Sequence, residues 1–261
     1  MSIMQPSAEF DPPAPTLDEG HPCSQCGARS KAICGVLESD ELQAFRKSGS
    51  TQRLEPGDTL FFEGDPARSV YSITEGLLRL TKMLPDGRRQ VADFLFPGDF
   101  LGLTLEDGHA FSAEAVTPAQ VCLFSAARFQ AFAGAHPHLE RRLYVLAAHE
   151  LAATRQQVLR LGRKSATERI ASFLLMLASH NCPGPCGNGD GKMLFLPMSR
   201  TDIADYLGLR IETVSREFSH LKADKIIRLV STQQVEILDE ARLRAIVTGD
   251  LEEDTFGSFC D

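Results

Sequence analysis

Between residues 55 and 108 the chain is cut by glycine- and proline-based turn signals at nearly regular intervals, and this cadence limits the possible folds more than any other feature. EPGD stands at 55–58, EGDP at 63–66, TEG at 74–76, PDGR at 85–88, PGD at 97–99 and EDG at 106–108. Between and beyond them lie short apolar runs: TLFFE, SVYSI, LLRLTKML, RQVADFLF and AQVCLF. Glycine supplies the positive φ of tight turns and proline presets the neighbouring turn position, so each signal ends one extended run and reverses the chain. Strands at roughly ten-residue spacing with such turns make a β-roll or barrel. Residues 53–125 are therefore expected to form a β-roll or barrel, and the expected fold class is α+β.

Outside this stretch the periodicity is helical. Residues 38–47 (ESDELQAFRK) predict a short helix with Ser39 as N-cap and Leu42 at N3. Residues 137–161 predict one long helix opened by Pro137. On it Ala147, Leu151, Thr154, Val158 and Leu161 follow a 4-3-4-3 spacing, a narrow stripe of the coiled-coil kind. Such a stripe needs an apolar partner. A second copy of the same helix would give a twofold homodimer; the chain's own β-roll is the other candidate. Residues 165–179 predict a further amphipathic helix with Ile170, Phe173, Leu174 and Leu177 on one face, and NCPGPCGNGDGK at 181–192 reads as a loop.

The segment from 197 reads PMSRTDIADYLGLRIETVSREFSHLKADKIIRLV. Ser199 is placed to cap a helix whose N3 residue is Asp202, and Gly208 is placed to end it. A second helix is expected from Ile211 to about Ala223, with Val214, Phe218 and Leu221 inward. Two short helices about a glycine turn form a helix-turn-helix. KIIRLVSTQQVEIL then reads as a hairpin, making it winged. Glu212, Ser215, Arg216 and Ser219 share the outer face of the second helix. In this motif the N-terminal residues of that helix enter the DNA major groove. Arg donates in bidentate fashion to guanine, Glu accepts from cytosine N4, and Ser bonds bases or phosphate. The net charge of −8 speaks against nucleic acid, but residues 155–230 carry 12 Lys and Arg against 7 Asp and Glu. The expected DNA-binding region is thus mildly basic on an acidic body.

A chain of 261 residues has room for two domains, and 43% apolar residues fit a globular protein. No apolar run reaches the length of a membrane span, and MSIMQPSAEFDPPAPTLDEG lacks the pattern of a secretory signal. A cytoplasmic location follows as an expectation, and there cysteines are kept as thiols. Seven cysteines then point to metal binding or redox sensing. Cys23, Cys26 and Cys34 have the spacing C-x2-C-x7-C, with Gly27 and Gly35 leaving the loop free to wrap a centre. A closed four-sulfur site needs one ligand more, and Cys122 on the last expected strand is the leading candidate. By residue type alone, zinc and iron–sulfur remain equally open. Cys182, Cys186 and Cys260 are read as non-ligands, and His109, alone on a loop, as a surface residue. A β-roll metalloenzyme would need clustered His and carboxylate ligands. The strands carry no His and no nucleophile–base pair is visible, so no catalysis is expected.

The order β-roll, long helix, winged helix-turn-helix resembles the CRP/FNR superfamily across most of residues 37–240, and DIADYLGLRIETVSREF is similar to the recognition motif of its FNR and FixK branches. The resemblance implies a cyclic-nucleotide-binding-like double-stranded β-helix, or jelly-roll, at the N-terminal side, a long dimerisation helix, a C-terminal winged helix-turn-helix and a TTGAT-type palindromic site, each half read by Glu212, Ser215 and Arg216. Arg210 stands where the family usually has a capping Thr; Arg cannot cap but can reach a phosphate. Ser199 and Arg200 are counted with it among the DNA-binding residues. FNR-type regulators hold a [4Fe–4S] cluster on three N-terminal cysteines and one from the β-roll, a pattern that Cys23, Cys26, Cys34 and Cys122 match. The seven-residue gap looks like the FnrN variants. Oxygen degrades such a cluster, the dimer weakens and DNA is released.

The cyclic-nucleotide branch uses a Gly-Glu and an Arg-Ser pair; here Asp99 follows Gly98 and Phe111 precedes Ser112, so no cyclic nucleotide is expected. The turn Pro85, Asp86, Gly87, Arg88 resembles the place where family members touch RNA polymerase. The expected map is a tail at 1–20, a cluster-binding segment at 21–36, the β-roll at 37–136, the dimerisation helix at 137–162, the DNA-binding domain at 163–240 and a tail at 241–261. The expected function is oxygen- or redox-responsive activation of anaerobic or microaerobic genes. The alternative is a FixK-like regulator with zinc or no metal, controlled by its amount or by thiol oxidation.

Overall fold

The computed structural model describes residues 23–104, 107–180 and 193–248. The expected tail at 1–20, the loop at 181–192 with Cys182 and Cys186, and Cys260 lie outside the described residues. The chain divides into two compact units, Met1–Met83 with Ala92–Ala152 and Leu84–Val91 with Ala153–Asp261.

The first unit opens with a 3-10 turn at Ile33–Val36 and a helix α1 (Ser39–Lys47). The strands follow as β1 (Gly49–Leu54), β2 (Thr59–Phe61), β3 (Ser69–Glu75), β4 (Leu78–Met83), β5 (Arg89–Leu95), β6 (Phe100–Leu101), β7 (Ser112–Ala115) and β8 (Ala119–Ser125). They form two four-stranded sheets, ordered β1-β8-β3-β6 and β2-β7-β4-β5, a jelly-roll as the family resemblance implies and one form of the β-roll or barrel that the turn cadence predicts. The turns fall at the glycines. At Gly76 φ is +83° and a Cβ would come within 2.3 Å of the Pro118 carbonyl oxygen, so only glycine fits.

Strand alternation gives the first sheet two buried faces. Tyr71, Ile73 and Val121 point into the core between the strands. Val70, Cys122 and Phe124 point the other way, into a second apolar cluster with Ile33, Leu37, Leu42 and Phe45. That outer face is covered by the 3-10 turn, by α1 and by two more helices, α2 (Ala126–Ala135) and the beginning of α3 (Pro137–Arg163). One expectation needs correction here. The cap of α1 is Glu38, not Ser39, because Glu38 and Glu41 form a reciprocal capping box. Within the expected β-roll domain, α2 follows the last strand and buries Phe129 and Ala133.

The second unit holds the end of α3 and then α4 (Ala166–Ser179), β9 (Met193–Phe195), α5 (Arg200–Leu207), α6 (Ile211–Ala223), β10 (Ile227–Leu229), β11 (Gln234–Ile237) and α7 (Glu240–Thr248). Ser165 caps α4 in a box with Glu168, and Ile170, Phe173, Leu174 and Leu177 are all buried, as their spacing predicts. The expected wing hairpin gains a third strand, giving the order β10-β11-β9. The expected tail at 241–261 is corrected in its first part: α7 packs against α4 and buries Leu243 and Ile246, while residues 249–261 lie outside the described residues. No described helix is long and apolar enough to cross a membrane.

Candidate cysteine site and nucleic-acid interface

The N-terminal cysteine segment is shaped by its own backbone. Cys26 N donates to Cys23 O at 3.3 Å and Arg29 N to Cys26 O at 3.2 Å, forming successive turns. Cys34 lies in the 3-10 turn, and Gly35 lets the loop close: a Cβ there would sit 2.5 Å from Arg29 O. Cys122 arrives from β8, where its direct cross-strand neighbours are Thr51 on β1 and Ser72 on β3. The structure thus brings Cys23, Cys26, Cys34 and Cys122 together at one pocket, although 87 residues separate Cys34 from Cys122. All four are free thiols and half-buried.

Their electrostatics follow from burial and from this proximity. Burial, with charge on Cys26, Cys23 and Cys122 adding to it, pushes the Cys34 thiol up to about 12. Burial also raises Cys23 and Cys122, while the Arg46 guanidinium pulls both down. Arg46 and Arg29 line the same pocket, Arg46 held by a 2.6 Å hydrogen bond to Thr51 Oγ1. Among the described residues no group of three or more His, Cys, Asp or Glu is arranged to hold a metal ion as it stands. Sequence reasoning missed both arginines and the pocket's two hydroxyl residues, Ser72 and Thr74, which only the strand register brings there.

The cysteine segment is tied to α3. Leu139, Leu143 and Leu146 share the apolar cluster with Cys23, Cys34 and Cys122. Arg142, buried at 6% exposure, donates from Nη2 to the Lys31 carbonyl at 2.8 Å. Further along α3, Ala147, Leu151, Thr154 and Val158 are exposed, with Leu151 at 51% and Val158 at 65%. Tyr144 extends the stripe by one step and was missed from sequence. Leu161 is half-buried, its Cδ2 close against the Gly208 turn.

The helix-turn-helix follows the predicted caps. Ser199 Oγ accepts from Asp202 N at 3.0 Å and donates to Asp202 Oδ2 at 2.7 Å. Gly208 ends α5 in the left-handed conformation with φ +62°. Arg210 is the N-cap of α6 and makes no side-chain capping bond, as expected. Val214, Phe218 and Leu221 are buried, and Glu212, Ser215, Arg216 and Ser219 are exposed along the opposite face. Buried Glu217 accepts from Thr167 Oγ1 at 2.7 Å, fixing α6 on α4. Of the six expected DNA-binding residues, Glu212, Ser215, Arg216, Arg210 and Ser199 are open to solvent. Ser199 is engaged in its cap, and Arg200 is stacked on the Phe218 ring at 3.5 Å, where burial lowers its pKa.

His109 is not the surface residue expected. It is 7% exposed and its ring stacks on Phe61 at a centroid distance of 3.7 Å. Phe111 lies beneath Lys82, whose ammonium is 5.4 Å from the ring centroid. The turn of Pro85, Asp86, Gly87 and Arg88 is exposed, with an Asp86–Arg88 ion pair at 2.7 Å.

Comparison with known proteins agrees with this architecture. The family model of the Crp-like helix-turn-helix domain matches residues 168–246, and that of the cyclic nucleotide-binding domain matches residues 51–136. The chain is 43% identical over 232 residues to the nitrogen fixation regulation protein FixK of Bradyrhizobium diazoefficiens, covering 87% of this chain and 94% of that protein. It is 37% identical over 224 residues to the transcriptional activator protein FnrL of Cereibacter sphaeroides, covering 85% and 90%. The structure of FixK2 from Bradyrhizobium japonicum superposes with a TM-score of 0.70 at 35% identity, over 76% of this chain and 96% of that one. A jelly-roll, a long helix and a winged helix-turn-helix with an open recognition face, shared with relatives along nearly their whole length, place this chain in the CRP/FNR family of DNA-binding transcription regulators.

Proposed function

We propose that this regulator senses oxygen or redox state through a [4Fe–4S] cluster held by Cys23, Cys26, Cys34 and Cys122. The observation that carries the reading is the meeting of these four thiols, from the N-terminal cysteine segment and from β8, at one pocket. The donor set is that of a four-cysteine iron–sulfur site. Arg29 and Arg46 offer positive charge to offset the thiolates, and Ser72 offers a buried hydroxyl. When bound, such a cluster supplies an oxygen-labile centre whose loss changes the packing around it. The chain's own residues do the rest. Lys31, Arg142 and the shared leucines connect the cysteine segment to α3, and the exposed stripe of α3 pairs with its copy in a homodimer.

The dimer presents two copies of α6 to a palindromic double-stranded DNA site of the TTGAT type, with Glu212, Ser215 and Arg216 at the bases and Arg210 at a phosphate. It acts in the cytoplasm as an activator of anaerobic or microaerobic genes, without a cyclic nucleotide, since Phe111 stands where the phosphate-binding Arg would be. RNA polymerase is met at the exposed turn. Asp86→Ala and Arg88→Ala are expected to abolish activation while DNA binding stays intact; loss of both would contradict that assignment.

One observation favours the metal-free form of a second reading, a FixK-like regulator with zinc or no metal: no described group is ready-made for a metal ion. Protein purified and kept without oxygen separates the two. The cluster reading predicts a broad visible absorption band, roughly four irons and four sulfides per chain, and bleaching in air. A colourless protein after anaerobic reconstitution contradicts it.

A further inference from the structure

Two hydroxyl residues of β3 line the cysteine pocket, and they differ in one respect. Thr74 Oγ1 donates to the Gln120 carbonyl at 3.0 Å and accepts from Gln120 Nε2 at 3.2 Å. Ser72 Oγ, in a residue 3% exposed, has no hydrogen-bond partner. A buried hydroxyl without a partner is costly and rare in folded proteins, so each instance asks for an explanation. Ser72 is the direct cross-strand neighbour of Cys122 in the β3–β8 ladder. Residues directly opposed in an antiparallel pair project their side chains to the same face of the sheet with Cβ atoms about 5 Å apart. Ser72 and Cys122 therefore share the face of the sheet over which the cysteine segment closes, and both line the pocket there. Apolar packing alone would favour alanine here.

We infer that Ser72 is a positioning residue whose hydroxyl donates a hydrogen bond to sulfur at the Cys122 corner of the cysteine site. The inference rests on the cluster reading above. A donor aimed at a cluster sulfur stabilises the state with more negative charge, and hydrogen bonds to the sulfurs are among the factors that set the reduction potential of such centres. Ser72 thus makes the cluster easier to reduce than the same four cysteines would in an apolar wall. It also holds the Cys122 side chain in one orientation.

The test uses the full-length protein, reconstituted without oxygen, as wild type, Ser72→Ala and Ser72→Thr, with the midpoint potential read by anaerobic dye titration and the charge-transfer band recorded. Ser72→Ala is expected to lower the potential by about 30 mV, which is about threefold in the reduction equilibrium at 59 mV per tenfold for one electron. Its band should shift while iron content stays at the wild-type level. Ser72→Thr, which keeps the hydroxyl, restores both values. A Ser72→Ala protein that carries the cluster with an unchanged potential and spectrum overturns the inference and leaves the cluster reading standing. A wild-type protein that takes up no cluster overturns both.

Discussion

Arg142 Nη2 lies 2.8 Å from the carbonyl oxygen of Lys31, so the second turn of α3 donates a charged hydrogen bond to the backbone of the cysteine segment. The guanidinium is buried, and burial lowers its pKa. A change in the cysteine segment that moves Lys31 must therefore move Arg142 or break the bond. Arg142→Met keeps most of the apolar stem and removes the donor. It is expected to lower unfolding stability by about 1–3 kcal/mol. It should also make the monomer–dimer equilibrium less sensitive to the state of the cysteines. Urea unfolding and sedimentation with and without air measure both; unchanged coupling contradicts the link.

The exposed stripe on α3 carries the homodimer prediction. Leu151→Glu puts a charge at the centre of the expected interface. Burying it unpaired costs roughly 3–5 kcal/mol, so self-association should weaken by two orders of magnitude or more. The fold of each protomer, read by circular dichroism, should stay unchanged because Leu151 is half-exposed in the single chain. A variant that sediments as the wild type does would place the interface elsewhere.

On α6, two arginines should behave differently. Arg216 is exposed on the recognition face, and Arg216→Ala is expected to cost about 1–3 kcal/mol and to relax preference at one base pair. Arg210, at the N-cap, is assigned to phosphate. Arg210→Ala should weaken binding evenly across sequences and reduce the salt slope by about 1. Titrations of matched and mismatched duplexes at several salt concentrations distinguish the two patterns.

His109 gives the β-roll a pH dependence. Burial lowers its pKa, and Asp65 opposes the shift. A histidine depressed in the folded state binds fewer protons there than in the unfolded chain. Its stabilising contribution is complete above the unfolded value of about 6.5 and is lost as pH falls below that toward and through the folded value. His109→Gln should flatten the fall in unfolding midpoint across that acid window; an identical fall would assign it to other groups.

Much of this architecture was legible because its signals are local. Ser199, Asp202 and Gly208 define α5 within ten residues, and the glycine turns set the strand cadence. Features that depend on register or on distant burial were not. Nothing in the neighbourhood of His109 announces the Phe61 ring that covers it. Ser72 becomes a pocket residue only once β3 pairs with β8. The helix α7 was missed because Leu243 and Ile246 are a single apolar step, too short a period to stand out before α4 gives them a surface. Ser39 gave way to Glu38 as a cap because the reciprocal bond with Glu41 outweighs the usual preference for serine.

The most direct test of the account is the affinity of anaerobically prepared protein for a TTGAT-type palindromic duplex at fixed salt, before and after exposure to air, for the wild type and for Cys122→Ala. The account predicts tight anaerobic binding by the wild type that is lost in air, and weak binding by Cys122→Ala under both conditions. Wild-type affinity that is the same before and after air, matched by Cys122→Ala, would contradict the claim that the four cysteines govern DNA binding.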